Sequence, residues 1–394
     1  MNYDFDTCIE RRHTHSLKWE VAEGELPMWV ADMDFAAAPE ICRAIQERAA
    51  HEIYGYTSIP EAWYEAVGGW WEKYHDFPIR PEWLIFCTGV IPAISSMVRK
   101  LTTPNENVLV QTPVYNIFFN SVVNNGRRVL ENPLRYKGGQ YEMDFEDLEE
   151  KLKDPQTTLM ILCNPHNPVG KIWDRETLSR VGELCQKYHV RVISDEIHCD
   201  LTAPGRDYIP FASVSEACRQ NSITCIAPTK TFNLAGLQTA AVVVAEENLR
   251  HKVNRGLNTD EVAEPNVFAA EAATAAFTKG RPWLLALREY IQGNKEYAGQ
   301  FLEQELPALY LVPSEATYLL WIDCGRITGD AVRFCRFLRE HTGLYVTAGS
   351  QYGGNGRQFL RMNIACPRIR LKDGLKRLKQ GVEAFVEKEG GKER

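Results

Sequence analysis

The chain has 394 residues, 44% of them hydrophobic and 25% charged, an ordinary globular composition with room for two or three domains at roughly 150 residues each. Its net charge of -7 and isoelectric point near 5.8 give no general attraction to phosphate backbones or anionic membranes, which argues against nucleic acid as a partner. No apolar run approaches the roughly 20 residues of a membrane helix, and the start Met1-Asn-Tyr-Asp-Phe-Asp6 lacks the basic-then-apolar order of a targeting signal, so a cytoplasmic protein without membrane attachment is expected.

Residues 1–45 show no strand-helix rhythm and cannot form a domain alone, so they are expected to lie across the rest of the chain or to pack with a small C-terminal domain. His13 and His15 have no carboxylate or cysteine at ligand spacing and read as a solvated loop, so no metal site is expected. Residues 46–282 form the expected large domain. Within them, strands are predicted at 83–87, 107–111, 158–163, 191–194, 223–227 and 239–245, alternating with helical patterns, the signature of an α/β fold with a mostly parallel sheet. Leu178, Val181, Leu184, Cys185 and Tyr188 recur at the helical period with Arg180, Glu183 and Lys187 opposite, which predicts a crossover helix. The acidic run over 142–150 reads as a solvated helix face.

After Gly280-Arg-Pro282 the pattern changes to a long helix, strands near 318–323 and 358–364, and a basic amphipathic helix near 371–385. This predicts a smaller α+β domain over 283–394. The eleven cysteines are scattered without a C-x-x-C pair, several within apolar runs, and read as buried free thiols in a reducing compartment.

Ligands of a parallel sheet bind where its strands end and the loops converge. Four polar clusters fall at such ends: Thr88-Gly89, Asn164-Pro-His-Asn-Pro-Val-Gly170, Asp195-Glu-Ile-His198 and Thr229-Lys230. Thr88-Gly89-Val90 ahead of a helical run offers backbone N–H groups and a helix dipole to a phosphate, though a plain glycine turn has the same look. Lys230, flanked by threonines in an apolar segment, is placed to lose its charge by desolvation and to attack an aldehyde. Asp195 directly follows an apolar strand; it needs a cation partner if buried, and is otherwise a helix N-cap.

Together, Asn167-Pro-Val-Gly170, the strand-end Asp195, the turn Ala227-Pro-Thr-Lys-Thr-Phe-Asn-Leu-Ala-Gly-Leu-Gln238 and Arg361 within Phe359-Leu-Arg-Met-Asn-Ile364 resemble, in order and spacing, the fold-type I pyridoxal 5′-phosphate (PLP) enzymes, the aspartate aminotransferase superfamily of class I/II. The resemblance implies a large domain with a mostly parallel seven-stranded sheet, a smaller α+β domain and PLP as cofactor. It makes Lys230 the covalent anchor and proton carrier, and Asp195 the partner of the pyridine nitrogen. Asn167 and His198 fall to the ring oxygen; many members carry tyrosine in place of His198. Tyr115 stacks on the ring. Thr229, the N–H groups of Val90 and Ile91, and Tyr56 reaching in from a second subunit hold the phosphate. The resemblance thus implies a homodimer whose active sites, at the subunit interface, take a small amino-acid substrate.

The implied substrate-binding residues are Arg361, which clamps the α-carboxylate through a two-pronged hydrogen bond, with Asn167 and Ala31 beside it. Two features point to the carbon-sulfur lyase branch, the MalY/PatB-type cystathionine β-lyases: the segment Leu26-Pro-Met-Trp-Val-Ala-Asp-Met-Asp-Phe35, and Gln238 where the aminotransferases usually carry a phosphate-binding arginine. The implied reaction is α,β-elimination from L-cystathionine or a related cysteine S-conjugate, giving a thiol, pyruvate and ammonia. Tyr56, Ser58, Tyr318 and Tyr352 are candidate walls of the pocket. Two alternatives remain beside it: a class I/II aminotransferase with the same groups, and a regulator that binds a transcription factor.

Overall fold

The computed structural model describes residues 3–390; residues 1–2 and 391–394, the outermost positions of the segments expected over 1–45 and 283–394, lie outside the described residues. Seven strands form the main sheet: β1 Leu84–Cys87, β2 Asn107–Thr112, β3 Arg128–Pro133, β4 Thr157–Cys163, β5 Arg191–Asp195, β6 Ser222–Ile226 and β7 Ala240–Val243. Their order is β1-β7-β6-β5-β4-β2-β3. β7 runs antiparallel to both neighbours, and the other pairings are parallel.

The central strands β5 and β6 are almost wholly buried, as expected of parallel strands covered by helices on both faces. β3 escaped the sequence reading because it is an edge strand. Three of its six residues are polar, three are exposed, and it ends on Pro133, which a central strand would exclude. The predicted crossover helix spans Arg175–Lys187. Asp174 caps it by accepting from the Thr177 N–H at 2.7 Å, and Leu178, Val181 and Cys185 face the core.

The second sheet contains β8 Tyr310–Leu311, β9 Leu319–Asp323, β10 Thr347–Ala348 and β11 Phe359–Asn363, in the order β8-β9-β11-β10. The change of texture at Gly280 marks the start of a 25-residue helix, Arg281–Glu305. That helix is shared by two cores: Trp283, Leu284, Leu287 and Ile291 pack with the large sheet's aromatic cluster, whereas Ala298 and Leu302 pack with the second sheet. The N-terminal segment is divided in the same way. Leu26–Pro27 pairs in parallel with Leu344–Tyr345, while Phe5, Met33, Phe35 and Ile41 enter the first core. The C-terminal helix, Arg368–Gly390, is longer at both ends than its predicted apolar stripe.

All eleven cysteines are free, but the expectation that they are buried fails for two. Cys8 lies in the irregular N-terminal segment, and Cys42 occupies the outer face of the helix Pro39–Ala49, whose inner face is held by Ile41. Among the described residues, no helix is long and apolar enough to cross a membrane.

Candidate active site

The four polar clusters lie at the carboxyl ends of β1, β4, β5 and β6, and Lys230 and Arg361 of β11 both meet an irregular strap formed by residues 29–35. Lys230 sits on one turn of helix, Pro228–Thr231, that follows β6. Its Nζ donates to the carbonyl of Ala31 at 2.6 Å, and the Tyr318 hydroxyl donates to the same oxygen at 2.9 Å. Burial pulls the Lys230 pKa down to about 8, and the Arg361 charge adds to this; Asp32 and Asp195 oppose it. A sizeable fraction of the amine is therefore neutral and nucleophilic near neutral pH.

Asp195, at the end of β5, is 4% exposed. Burial pushes its pKa up to about 7, against the Ile197 N–H and the charge of Lys230; that N–H donates to Oδ1 at 3.2 Å. A carboxyl so placed calls for a cationic partner before it will hold its charge. One turn later, His198 is buried, and burial with the charges of Lys230 and Arg361 pushes its pKa down to about 3. It is a neutral imidazole whose Nδ1 is buried and has no protein partner.

Arg361, on β11, donates from one terminal nitrogen to the Trp29 carbonyl at 2.9 Å and from the other, at the long distance of 3.4 Å, to Asn167 Oδ1. Its guanidinium lies 4.8 Å from the ring centre of Tyr352, and its Nε is buried without a partner. Asn167 opens a turn that closes at Gly170, where φ is +71° and a Cβ would lie 2.1 Å from Ser314 Oγ; only glycine fits there. Tyr115 is partly buried, and burial raises its pKa; Arg361, Asp195 and Tyr352 also act on it, which places it in the same crevice.

Thr229 and Val90 are buried and Ile91 partly so, with the two hydrophobic residues opening the helix Val90–Leu101. Tyr56, Ser58 and Gln238 are exposed. His13 and His15 are exposed. Among the described residues, the group whose ligand atoms cluster closely enough for a metal is His75, Cys199 and Asp200. There both Asp200 oxygens are already engaged, Oδ1 by Trp70 at 3.0 Å and His75 at 2.9 Å, and Oδ2 by Thr231 at 3.2 Å. Grooves of about 850 Å³ around Arg12 and about 560 Å³ along the Arg281–Glu305 helix contain none of the residues around Lys230.

What holds the strap is not marked in its sequence. Asp32 pairs with Arg11 at 2.7 Å. Asp34 is paired with Arg11 at 2.6 Å and with buried Lys18 at 3.0 Å. Burial disfavours its charge, yet Lys18, Trp19 and Arg11 together hold its carboxyl below the usual range. Two aspartates in one short motif were the available signal, since each needs a cation if buried.

The donor set suits PLP: a poised amine, a buried carboxyl without a cation of its own, a neutral imidazole with a free nitrogen and an arginine with spare donors. The chain is 44% identical over 384 residues to the cystathionine β-lyase PatB of Bacillus subtilis, covering 95% of this chain and 99% of that one. It is 30% identical to the protein MalY of Escherichia coli, covering 97% and 99%. Cystalysin of Treponema denticola, whose crystal structure contains PLP, superposes with a TM-score of 0.95 at 30% identity, covering 98% and 100%. A PLP-bound C-S lyase of Staphylococcus hominis does so with 0.91 at 33%, covering 97% and 98%. Since residues 27–378 also match aminotransferase class I and II as a family, the chain belongs to that family.

Proposed function

We propose that this protein is a PLP-dependent carbon-sulfur β-lyase. It takes L-cystathionine or a related cysteine S-conjugate and, consuming one water, releases a thiol, pyruvate and ammonia; from cystathionine the thiol is homocysteine. The observation that carries the reading is the convergence on one crevice of the Lys230 amine, the buried Asp195 carboxyl and the Arg361 guanidinium. The lyase branch in particular is supported by kinship to proteins that bear that activity in their names.

Lys230 would anchor the cofactor; Asp195, Asn167, His198, Tyr115, Thr229 and the N–H groups of Val90 and Ile91 would hold it. Bound PLP supplies an aldehyde for the substrate amine and an electron sink for the pair left at Cα. Arg361 exchanges the Trp29 carbonyl for the substrate carboxylate, a stronger, charge-assisted acceptor. Asn167 and the strap carbonyl of Ala31 border the same position. Lys230, partly neutral near pH 8, takes the proton from Cα. Tyr318 is buried with its hydroxyl committed to Ala31, so it acts as a wall.

We further infer a homodimer. Ile53, Tyr54 and Tyr56 are 66%, 57% and 105% exposed on one irregular segment, an apolar surface suited to cover by a second copy. Tyr56 would reach the partner's phosphate position. The division at residue 282 into large and small domains, with residues 1–45 bridging them, belongs to the same reading. So does a cytoplasmic location, which the free thiols support.

The test is incubation of purified holoenzyme with L-cystathionine, with and without a keto-acid acceptor. Pyruvate and free thiol without acceptor are expected. Turnover that appears only with the acceptor would overturn the lyase reading in favour of transamination.

A further inference from the structure

The strap shows a division of labour along its backbone. Its successive carbonyls accept from different groups. The carbonyls of Trp29 and Ala31 face the site and accept from Arg361 at 2.9 Å and Lys230 at 2.6 Å. Those of Val30 and Asp32 both accept from the single carboxamide of Asn363, at 2.5 and 2.6 Å.

A second carboxamide takes over where the first stops. Asn233 accepts from the Met33 N–H at 3.0 Å and donates to the carbonyls of Met33 and Phe35, both at 3.1 Å. Asn363 lies two residues after Arg361, and Asn233 three residues after Lys230. Each carboxamide is therefore rigidly connected to the very side chain that a strap carbonyl must meet. Asn233 also adopts φ +59°, a conformation that asparagine tolerates better than most residues. The Asn363 side chain is itself fixed, since its Oδ1 accepts from the Ala365 N–H at 2.8 Å.

We propose that Asn233 and Asn363 are positioning residues that set the register of the strap against the two chemical groups of the site, holding the Ala31 carbonyl at the Lys230 amine and, until substrate enters, the Trp29 carbonyl at Arg361. Besides these grips, the strap's backbone is held by the Asp34 N–H donating to the Ala365 carbonyl at 2.8 Å, by the hydroxyls of Tyr318 and Thr347 donating to Ala31 and Trp29 at 2.9 and 3.4 Å, and by Arg11 and Lys18 donating to the Met33 and Asp32 carbonyls. Releasing either carboxamide lets the carbonyls turn, and with them the place where Lys230 rests between proton transfers. A reacting group displaced by about 1 Å loses on the order of a hundredfold in rate. The consequence for turnover rests on the proposed lyase reading; the mechanical claim does not.

The test compares holoenzymes carrying Asn233→Gly, Asn233→Asp and Asn363→Ala with wild type. Asn233→Gly removes the carboxamide while accepting the positive φ. Asn233→Asp keeps the acceptor for the Met33 N–H and loses both donated bonds. Two quantities are measured: amide hydrogen exchange of peptides spanning 28–36, and kcat per bound cofactor with KM on L-cystathionine. Expected are exchange in the strap faster by about tenfold or more and a fall in kcat of roughly 10- to 100-fold with KM within a few-fold. A role in stability alone would lower the melting temperature and leave kcat per bound cofactor unchanged. Wild-type exchange in the strap, or wild-type kcat, in both Asn233→Gly and Asn363→Ala overturns the proposal. If the wild-type protein releases no thiol from any conjugate, the lyase reading fails; strap exchange, with turnover in the acceptor-dependent reaction, then decides the positioning role.

Discussion

Lys230 and Ala31 are separated by 199 positions in the sequence, yet the amine of one lies 2.6 Å from the carbonyl oxygen of the other. This contact joins the turn after β6 to the N-terminal strap, and so ties the group proposed to carry the chemistry to the segment bordering the substrate position. The amine is a donor to a fixed, uncharged acceptor, in a place where burial already discourages its charge.

The first prediction concerns that amine. In cofactor-free protein, the rate at which Lys230 condenses with pyridoxal should rise with pH and level off above about 8, rather than near 10.4 as for a free lysine. It is followed by visible absorbance across a pH series. Lys230→Ala should abolish the absorbance and lower turnover by roughly 10³-fold or more; a purified variant that kept both would remove Lys230 from its role.

Asp195 allows a stability prediction with a definite sign. Its folded pKa, about 7, is above its ordinary value of 3.8, so the folded state binds the extra proton between these limits. The associated stability is fully present below the ordinary value and is lost as pH rises through about 7. Asp195→Asn should therefore raise the melting temperature of cofactor-free protein at pH 8 and change it little at pH 4, while weakening cofactor retention. Equal shifts at the two pH values would contradict the buried-carboxyl account.

Arg361→Lys should raise KM about 10- to 100-fold, because a single ammonium cannot reproduce a two-pronged bond to carboxylate and a charged hydrogen bond is worth roughly 1.5–3 kcal/mol. Steady-state kinetics on L-cystathionine checks this. A KM within twofold of wild type would place the carboxylate elsewhere.

Tyr56 is fully exposed within one chain, so its proposed role requires a second. Tyr56→Ala and Lys230→Ala should each be nearly inactive alone. Mixed under conditions that let subunits exchange, they should recover roughly a quarter of wild-type activity, since each mixed dimer then holds one site with both residues intact. Failure to complement, with mixed dimers demonstrated, would confine Tyr56 to its own subunit.

Much of the fold was legible in the chain. Apolar runs of strand length, separated by helices of the right period, specified the parallel sheet, because a strand covered on both faces must be apolar throughout. The edge strand Arg128–Pro133 was not legible, since exposure removed the pattern that reveals the others. The helix Arg281–Glu305 was expected as a helix but not as one shared by two cores: its apolar stripe is continuous, and nothing local marks where one partner gives way to the next.

The same division runs through the site. The sequence by itself marked the residues proposed to carry the chemistry, because Lys230, Asp195, Asn167 and Arg361 stand in motifs that resemble, in residue type and order, those of one family. Only the tertiary structure decided how they are held. Asn233 and Asn363 look like ordinary polar residues in the chain. They become grips on the strap because folding brings the turn after Lys230 and the end of β11 against one irregular stretch of backbone, and hydrogen bonds depend on that placement within a few tenths of an ångström.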